Sequence, residues 1–381
     1  MRIGLFLTYG YGLDNWEESG VLERELSLYE DHFHHGIKTL IVSYGTATDK
    51  DLVEKRPYLD LIYNKHNLPT SLYAKMLPSI LSKKDYYVDV IKTNQMYGAH
   101  VALRCAKRVR KPIVVRQGHS FFESQAGAYP KNEKLIERAR RYEARYLQQA
   151  DLFTFPTLEM AQRASVRHQI DLKRSHLLPN FFVPSAWVPE YNPAVTARTD
   201  QVVFFGKLTK QKNLGSLIQA AIGLDLKLVL IGDGPERESL GSLAEELKVE
   251  IEFPGRVSHE SVKEYLREAM FFVLPSNYEG HPKALIEAMA FGIPVLVTNS
   301  VGVAPEVVDG KTGIIVENSV DGLRDGMRQY QKMTHSERIR IGQTGKTSAL
   351  KRYSLPAVAA RERFFLQQIT GIVPNSSKRL D

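Results

Sequence analysis

Two glutamates, Glu279 and Glu287, flank a predicted helix start in the second half of the chain. Glu279 lies in the loop before the helix and Glu287 within it, with Gly280 and Pro282 between them. Proline favours the first position of a helix, and the N–H groups of a helix start attract anions. A helical segment from one glutamate to the other spans about 12 Å, the scale of a nucleoside diphosphate sugar. We therefore predict that Glu287 accepts hydrogen bonds from ribose hydroxyls and that Glu279 holds a sugar. Two solvated glutamates are the alternative.

A lysine-rich turn follows the first predicted strand of this half. It runs from Gly206 to Asn213 and contains Lys207 and Lys212. Ligands of open α/β sheets bind at the carboxyl ends of strands, so these lysines are placed to neutralise a leaving diphosphate. A solvated turn is the alternative. Gly232–Pro235 also follows a strand but lacks the third glycine of a dinucleotide-binding fingerprint, which predicts a tight turn at a cleft edge.

Short apolar runs alternate with longer amphipathic segments along the whole chain, a pattern typical of βα units and parallel sheets. A chain of 381 residues also exceeds the usual size of one hydrophobic core. These features predict an α/β protein with two Rossmann-like domains facing each other across a cleft. The predicted strands are Ile3–Leu7, Thr39–Ser43, Tyr87–Ile91, Ile113–Arg116, Leu152–Phe155, Val202–Phe205, Leu226–Ile231, Ile251–Phe253, Phe271–Leu274, Val295–Thr298 and Gly313–Val316.

The second half resembles glycosyltransferase family 4, a large family of retaining enzymes with the GT-B fold. The family carries a Gly-Arg-Leu turn followed by a lysine, then Gly-Asp-Gly-Pro, a Gly-Arg-Val turn, and Glu-Gly-x-Pro ending in Glu-Ala-Met-Ala. The matching segments of this chain, in the same order and spacing, are Gly206–Leu208 with Lys212, Gly232–Pro235, Gly255–Val257, Glu279–Ala290, Gly292–Val295 and Gly302–Val308.

The resemblance implies roles for these residues. Glu287 would bind ribose, Glu279 and the backbone from Gly280 to Lys283 would hold the sugar and phosphate, and Lys212 would bind the diphosphate. Lys207 stands where the family usually has arginine, so the charge is kept but the planar fork is lost. The predicted donor-binding residues are Gly20, Gly206, Lys207, Lys212, Arg256, Val257, Glu279, Gly280, His281, Pro282, Lys283 and Glu287.

The first half resembles the family less closely. Trp16–Leu26 is similar to its glycine-rich loop and first helix, where Gly20 would let backbone N–H groups approach a phosphate; an ordinary helix start is the alternative. His119 follows the predicted strand Ile113–Arg116 and is the best positional match, among 11 histidines, to a cleft histidine of the family. A packing role is the alternative. The predicted catalytic residues are His119, Glu279 and Lys212.

Prolines between the two sets of strands interrupt both helix and strand and mark a domain boundary. We predict an N-terminal acceptor-side domain over 1–184, a linker over 185–198 and a C-terminal nucleotide-sugar-binding domain over 199–355. A C-terminal helix over 356–372 could pack back onto the N-terminal domain. The polar tail over 373–381 is predicted to fray.

Composition narrows the class of protein. No stretch reaches the roughly 18 apolar residues of a membrane-spanning helix. A lone cysteine, Cys105, excludes an internal disulfide and favours a cytoplasmic location. The net charge of +8 lies mostly in the first half, which holds the basic segments Arg104–Lys111 and Arg138–Tyr146. They predict attraction to the anionic inner face of the cell membrane or to a lipid pyrophosphate acceptor, with solvated helix faces as the alternative. No nucleic acid partner is expected.

The predicted activity follows from the resemblance. It is retaining transfer from a nucleotide diphosphate sugar, UDP- or GDP-linked, to a glycan or lipid-linked acceptor in bacterial surface polysaccharide or glycolipid synthesis. Asp49–Asp51, the only Asp-x-Asp, is interpreted as surface loop, so neither metal nor cofactor is expected. The alternatives are another GT-B enzyme, such as an inverting transferase or a nucleotide-sugar epimerase, and a non-catalytic protein that binds sugar nucleotides or anionic membranes. Because the third glycine of the dinucleotide-binding fingerprint is missing, a nicotinamide-dependent dehydrogenase is disfavoured.

Overall fold

Runs of valine, isoleucine, leucine and phenylalanine form two parallel β-sheets in the computed structural model of the protein. The structure describes residues 1–128, 131–189 and 200–373. The chain divides into two units, one formed by Met1–Pro179 with Val358–Asp381 and the other by Asn180–Ala357. Each unit contains one of the sheets.

The first unit has a seven-stranded sheet. Its strands are β1 (Arg2–Phe6), β2 (Lys38–Val42), β3 (Leu59–Ile62), β4 (Val90–Thr93), β5 (Ile113–Arg116), β6 (Leu152–Phe155) and β7 (Ser175–Leu177), and their order across the sheet is β3-β2-β1-β4-β5-β6-β7. The order reverses between β1 and β4, as in other doubly wound sheets. The helices of this unit are α1 (Asp14–Glu18), α2 (Leu22–His34), α3 (Ala47–Glu54), α4 (Thr70–Leu81), α5 (Ala99–Val109), α6 (Phe121–Ala128), α7 (Glu133–Gln149) and α8 (Leu158–His168).

The second unit has a six-stranded sheet and a reversal between β8 and β11. Its strands are β8 (Gln201–Phe205), β9 (Lys227–Ile231), β10 (Ile251–Gly255), β11 (Phe271–Leu274), β12 (Val295–Thr298) and β13 (Ile314–Val316), in the order β10-β9-β8-β11-β12-β13. The helices are α9 (Pro184–Trp187), α10 (Leu214–Ala220), α11 (Arg237–Leu247), α12 (His259–Glu268), α13 (Lys283–Phe291), α14 (Val320–Lys332) and α15 (His335–Tyr353). The prediction of two Rossmann-like domains with parallel sheets is confirmed.

Sequence reasoning missed two strands, β3 and β7. Both lie at the edges of the first sheet, where one side of a strand faces solvent and the apolar pattern weakens. Asp60 in β3 is exposed, and Leu177 in β7 is 41% exposed. Neither segment therefore carries the continuous apolar run by which buried parallel strands are recognised.

The boundary between the units differs from the predicted one. The second unit starts at Asn180, and the short helix α9 belongs to it. Trp187 is buried and stacks on Phe205 with ring centroids 5.8 Å apart, so the first residues of the predicted linker pack into the second core. Residues 190–199, which include the rest of that linker, and residues 374–381 of the predicted tail lie outside the described residues.

The last helix, α16 (Leu355–Thr370), begins in the second unit and continues into the first. Its Glu362 is fully buried, accepts a hydrogen bond from His32 Nε2 at 2.9 Å and forms an ion pair with Lys92 of β4. Burial lowers the pKa of His32. Burial acts to raise the pKa of Glu362, but the charge of Lys92 and the hydrogen bond from His32 together hold it below its usual value. This network fixes α16 to the sheet of the first unit.

Candidate active site

Glycines allow the loop after β8 to pass close to the loop after β9. Leu208 N donates to Asp233 O at 3.0 Å. A Cβ atom on Gly232 would lie 2.0 Å from the carbonyl oxygen of Gly206, and one on Gly234 would lie 2.1 Å from that of Leu208. Only glycine fits such approaches. The tight turn predicted for this segment therefore serves to hold the lysine-bearing loop.

An ion pair between Lys212 and Glu279 lies at the centre of the candidate site. Lys212 ends a 3-10 turn, and its Nζ lies 2.5 Å from Glu279 Oε1. Ser276 Oγ donates to the same oxygen at 2.7 Å, and Gln211 Nε2 lies 3.4 Å from the other oxygen. The side chain of Glu279 is 8% exposed and that of Lys212 is 18% exposed. The structure thus brings together two of the three predicted catalytic residues, and donors surround the carboxylate.

Backbone contacts hold the loop that carries Glu279. Glu279 N donates to Val301 O at 2.8 Å, and Gln211 Nε2 donates to Tyr278 O at 2.8 Å. A Cβ atom on Gly302 would lie 2.0 Å from the carbonyl oxygen of Glu279. Gln211 and Gly302 were not predicted as site residues, because their contacts join segments that are distant in sequence. Ser276, three residues before Glu279, was not predicted either.

The helix after this loop, α13, begins directly after Pro282. Pro282 is the N-cap of α13, with φ −76° and ψ 102°, and no side chain caps the helix there. The segment from Glu279 to Pro282 is not helical, so the 12 Å estimate for the separation of the two glutamates does not apply. Glu287 lies one turn into α13 and is 6% exposed. The N–H groups at a helix start favour an anion.

Buried contacts of His281 support the loop that carries Glu279. Its buried ring packs edge-on against Tyr353, with centroids 5.1 Å apart, and its Nε2 lies 3.8 Å from Glu306 Oε1. Burial raises the pKa of Glu306, although hydrogen bonding from Tyr353 and the charge of Arg352 oppose the rise. Asn180 Nδ2 donates to the carbonyl oxygen of His281 at 3.0 Å. His281, one of the predicted donor-binding residues, is therefore buried, and its contacts support the loop that carries Glu279.

Other predicted donor residues lie on several loops of the second unit. Lys207 is exposed after β8, beside the half-buried Gly206, and Gly280 is half-buried between Glu279 and His281. After β10, Arg256 is exposed and Val257 is half-buried. β10 is an edge strand and lies three positions from β11 in the sheet, so the two strands are about 14 Å apart at the usual strand spacing. Strand order therefore separates Arg256 and Val257 from the strand that leads into the Glu279 loop.

Gly20 separates two helices of the first unit, where the sequence predicts one helix start. It adopts a left-handed φ of +69° between α1 and α2. Its N–H donates to the carbonyl oxygen of Glu17 at 2.9 Å. This N–H group closes the end of α1, and the predicted approach of the Gly20 backbone to a phosphate stays a prediction.

His119 is exposed in the loop after β5, also in the first unit. The loop is held by the buried Glu143 of α7, which accepts hydrogen bonds from Gln117 Nε2 at 2.9 Å and Ser120 Oγ at 3.0 Å. His168 Nε2 lies 2.9 Å from the other oxygen of Glu143. Sequence reasoning missed Glu143 because it sits in a basic helical segment. The catalytic role of His119 stays a prediction.

Asp49 is not part of a surface loop, so that interpretation is wrong for this residue. It is buried in α3 and accepts hydrogen bonds from Leu13 N at 3.0 Å, Asp14 N at 3.2 Å and Ser43 Oγ. These donors come from distant segments and satisfy the buried carboxylate. Within residues 1–128, 131–189 and 200–373, no group of three His, Cys, Asp or Glu side chains is arranged to hold a metal ion. In the same ranges, each helix is too short or too polar to cross a membrane.

Comparison with known proteins finds a family match in the second half of the chain. Residues 193–348 match the family Glycosyl transferases group 1. A 2-deoxystreptamine N-acetyl-D-glucosaminyltransferase of Niallia circulans is 33% identical over 132 residues, which are 32% of this chain and 34% of that protein. WcaL of Salmonella typhimurium, named for colanic acid biosynthesis, is 37% identical over 151 residues, or 35% of this chain and 37% of WcaL. The chain thus spans about a third of the length of these relatives.

Solved structures match both units. Sucrose-phosphate synthase from Thermosynechococcus elongatus covers 97% of this chain and 99% of its own, with 19% identity and a TM-score of 0.76. The fold is GT-B. Alr3699/HepE of Anabaena, solved in complex with UDP, covers 97% of this chain and 100% of its own, with 16% identity and a TM-score of 0.74. At these sequence identities, the likeness shows the fold of this chain and does not identify its substrates.

Proposed function

We propose that the protein is a retaining glycosyltransferase of family 4 that transfers a sugar from a nucleotide diphosphate sugar. The observation that carries the proposal is the ion pair between Lys212 and Glu279, in the loop before the start of α13. It lies in the segment that matches Glycosyl transferases group 1. A UDP-sugar and a GDP-sugar are the two candidate donors.

The proposed donor site uses charge balance. The ammonium group of Lys212 is held at the carboxyl end of the sheet by Glu279, while Ser276 Oγ gives that carboxylate a second donor. A diphosphate at the start of α13 would attract Lys212 and meet the positive end of the helix dipole. Glu279 would then accept hydrogen bonds from the sugar, and Glu287 from the ribose. Lysine and helix dipole would together stabilise the negative charge that develops on the leaving diphosphate.

We propose same-face attack of the acceptor hydroxyl, assisted by the leaving phosphate, which retains the anomeric configuration. The proposed catalytic residues are His119, Glu279 and Lys212. Positive groups of the chain would balance the diphosphate, so transfer would proceed without a metal ion or other cofactor.

The proposed acceptor is a glycan or a lipid-linked glycan of a bacterial surface polysaccharide or glycolipid. The likeness to WcaL, named for colanic acid biosynthesis, supports this class. The exposed basic side chains of α5 and α7 support peripheral contact with the anionic inner face of the cell membrane.

A transfer assay tests the proposal. The protein is incubated with UDP-, GDP- and ADP-sugars and a panel of glycan and lipid-linked acceptors, and the product is analysed by proton NMR of its anomeric hydrogen. We expect transfer from a UDP- or GDP-sugar with the donor's configuration, at an unchanged rate in EDTA. An inverted product would indicate another class of GT-B enzyme. Binding of sugar nucleotide without turnover would favour the non-catalytic alternative.

A further inference from the structure

Three helices of the first unit line an open groove that lies outside the proposed donor site. Side chains of α4, α5 and α7 form its walls, and its volume is about 440 Å³. Pockets for small molecules usually range from about 300 to 1,000 Å³. The groove is therefore large enough for a sugar phosphate or a lipid pyrophosphate head.

The charged side chains along the groove are all basic. Lys75 comes from α4, Arg104 and Lys107 come from α5, and Arg145 comes from α7, and none of the described residues that line the groove is acidic. Arg104 donates one N–H group to the carbonyl oxygen of Ala74 at 3.1 Å, which fixes the guanidinium at the groove wall. A concave site lined by cations from three helices concentrates an anion more strongly than a flat basic surface does.

Arg104 and Arg145 belong to the two basic segments recognised in the sequence. Folding brings one residue of each segment to the same groove. By contrast, Arg140 and Arg141 both pair with Glu137, each through its Nε at 2.7 Å. The fold thus separates the basic residues of α7 into a set that faces the groove and a set that is partly neutralised elsewhere.

Aromatic rings form another part of the groove. The ring of His100 packs against Tyr9, with centroids 5.0 Å apart, and against Tyr146, with centroids 6.2 Å apart. All three residues line the groove. Aromatic faces beside cations suit a ligand that joins a phosphate to a sugar ring or an apolar chain.

His100 adds a neutral hydrogen-bond donor. Tyr142 Oη accepts from Gly98 N at 3.1 Å and lies 3.0 Å from His100 Nδ1. Because the tyrosine oxygen already accepts from Gly98, its own hydrogen is available to Nδ1, and this arrangement favours a proton on Nε2. Burial and the nearby Arg104 lower the pKa of His100, which keeps the ring neutral at pH 7.

We propose that this groove binds a phosphorylated ligand, with its phosphate on Arg104 and Arg145 and its sugar or apolar part against Tyr9 and Tyr146. The identification of that ligand as the acceptor rests on the proposed function. Because the cations line a concave wall together with aromatic rings, the occupant is a single phosphorylated molecule and not the plane of a bilayer.

Inorganic pyrophosphate is the probe for the first test. Its binding is followed by NMR of the His100 ring, which separates the groove from any diphosphate site in the second unit. The double variant Arg104→Ala/Arg145→Ala removes two groove charges. The matched control Arg140→Ala/Arg141→Ala removes the same charge from outside the groove.

We expect pyrophosphate to raise the pKa of His100 in the wild type and in the control. We expect its affinity for this site to fall at least about tenfold in the groove variant, since hydrogen bonds to charged groups are the strong ones. If circular dichroism shows that the groove variant is misfolded, Lys75→Ala provides the same comparison. Equal losses of pyrophosphate affinity in the groove variant and the control, or no loss of affinity in either, would overturn the proposal.

Vesicles of phosphatidylcholine with phosphatidylglycerol test the bilayer alternative. If both double variants lose vesicle binding equally while pyrophosphate binding persists in the groove variant, the basic residues serve a membrane surface and the proposal is wrong. Sugar transfer separates this proposal from the proposed function. Pyrophosphate binding as expected, without transfer from any donor, would refute the function alone. Transfer by the groove variant with an unchanged KM for a phosphorylated acceptor would refute the groove as the acceptor site.

Discussion

Gly302 offers a direct test of the backbone contact that supports the Glu279 loop. It adopts φ +72°, and a Cβ atom there would lie 2.0 Å from the carbonyl oxygen of Glu279. Gly302→Ala should cost about 1–2 kcal/mol for the left-handed backbone and about 1–3 kcal/mol more for displacing a packed neighbour. The displaced Glu279 should also bind the donor sugar less well, and we expect its affinity to fall about tenfold.

Gly310 provides the matched control. It has a similar φ of +67°, but no heavy atom of the described residues lies within 4 Å of the position of its Cβ. Gly310→Ala should therefore show only the backbone cost, about 1–2 kcal/mol, with unchanged donor affinity. Urea unfolding and calorimetric titration of the sugar nucleotide measure both quantities. Equal losses of stability in the two variants, with equal donor affinity, would refute the argument that Gly302 positions Glu279.

Three further predictions concern the first unit. Burial raises the pKa of Cys105 to about 12, so the native thiol should not react with Ellman's reagent until urea unfolds the protein; rapid native reaction would contradict this. Glu143→Gln should lower the free energy of unfolding by about 3 kcal/mol, because the amide loses an acceptor and faces buried donors with its own N–H groups; a loss below about 0.5 kcal/mol in urea unfolding would argue against that role. Burial lowers the pKa of His32, so the unfolded chain takes up a proton before the folded one as the pH falls through about 6.5, and the folded state loses stability. The pKa of Glu362 is also lowered, which causes a further loss of stability below about pH 4. Urea unfolding should therefore show stability declining from pH 7 to 5, and His32→Gln should reduce that slope; a stability that rises toward acid would be incompatible with the buried network.

Local patterns made much of the fold predictable. Buried parallel strands such as Val202–Phe205 and Val295–Thr298 are continuous apolar runs bounded by glycine or polar turns, and the structure contains strands at both. Lys212 and Glu279 could be placed together because each follows a strand, and β8 and β11 are neighbours in the second sheet. Parallel strands put such loops on one edge of the sheet, and the 2.5 Å contact agrees.

Buried carboxylates were beyond sequence reasoning. Asp49, Glu143 and Glu362 are all fully buried, yet each occurs in a polar or charged stretch that is typical of a surface. Burial of a carboxylate depends on donors that the fold delivers from elsewhere. For Glu362, the donor His32 lies 330 residues away in the chain. No local pattern carries that information.

Titration calorimetry of sugar nucleotides is the most direct test of the donor site in the second unit. Wild type, Lys212→Ala and the control Lys210→Ala, which removes an exposed lysine of the same turn, are each titrated with UDP-, GDP- and ADP-sugars. A charged hydrogen bond to the diphosphate contributes about 1.5–3 kcal/mol, so Lys212→Ala should weaken binding of the preferred donor at least about tenfold. Lys210→Ala should leave it within about twofold. Absence of binding to every sugar nucleotide, or equal affinities of the two variants, would contradict the account.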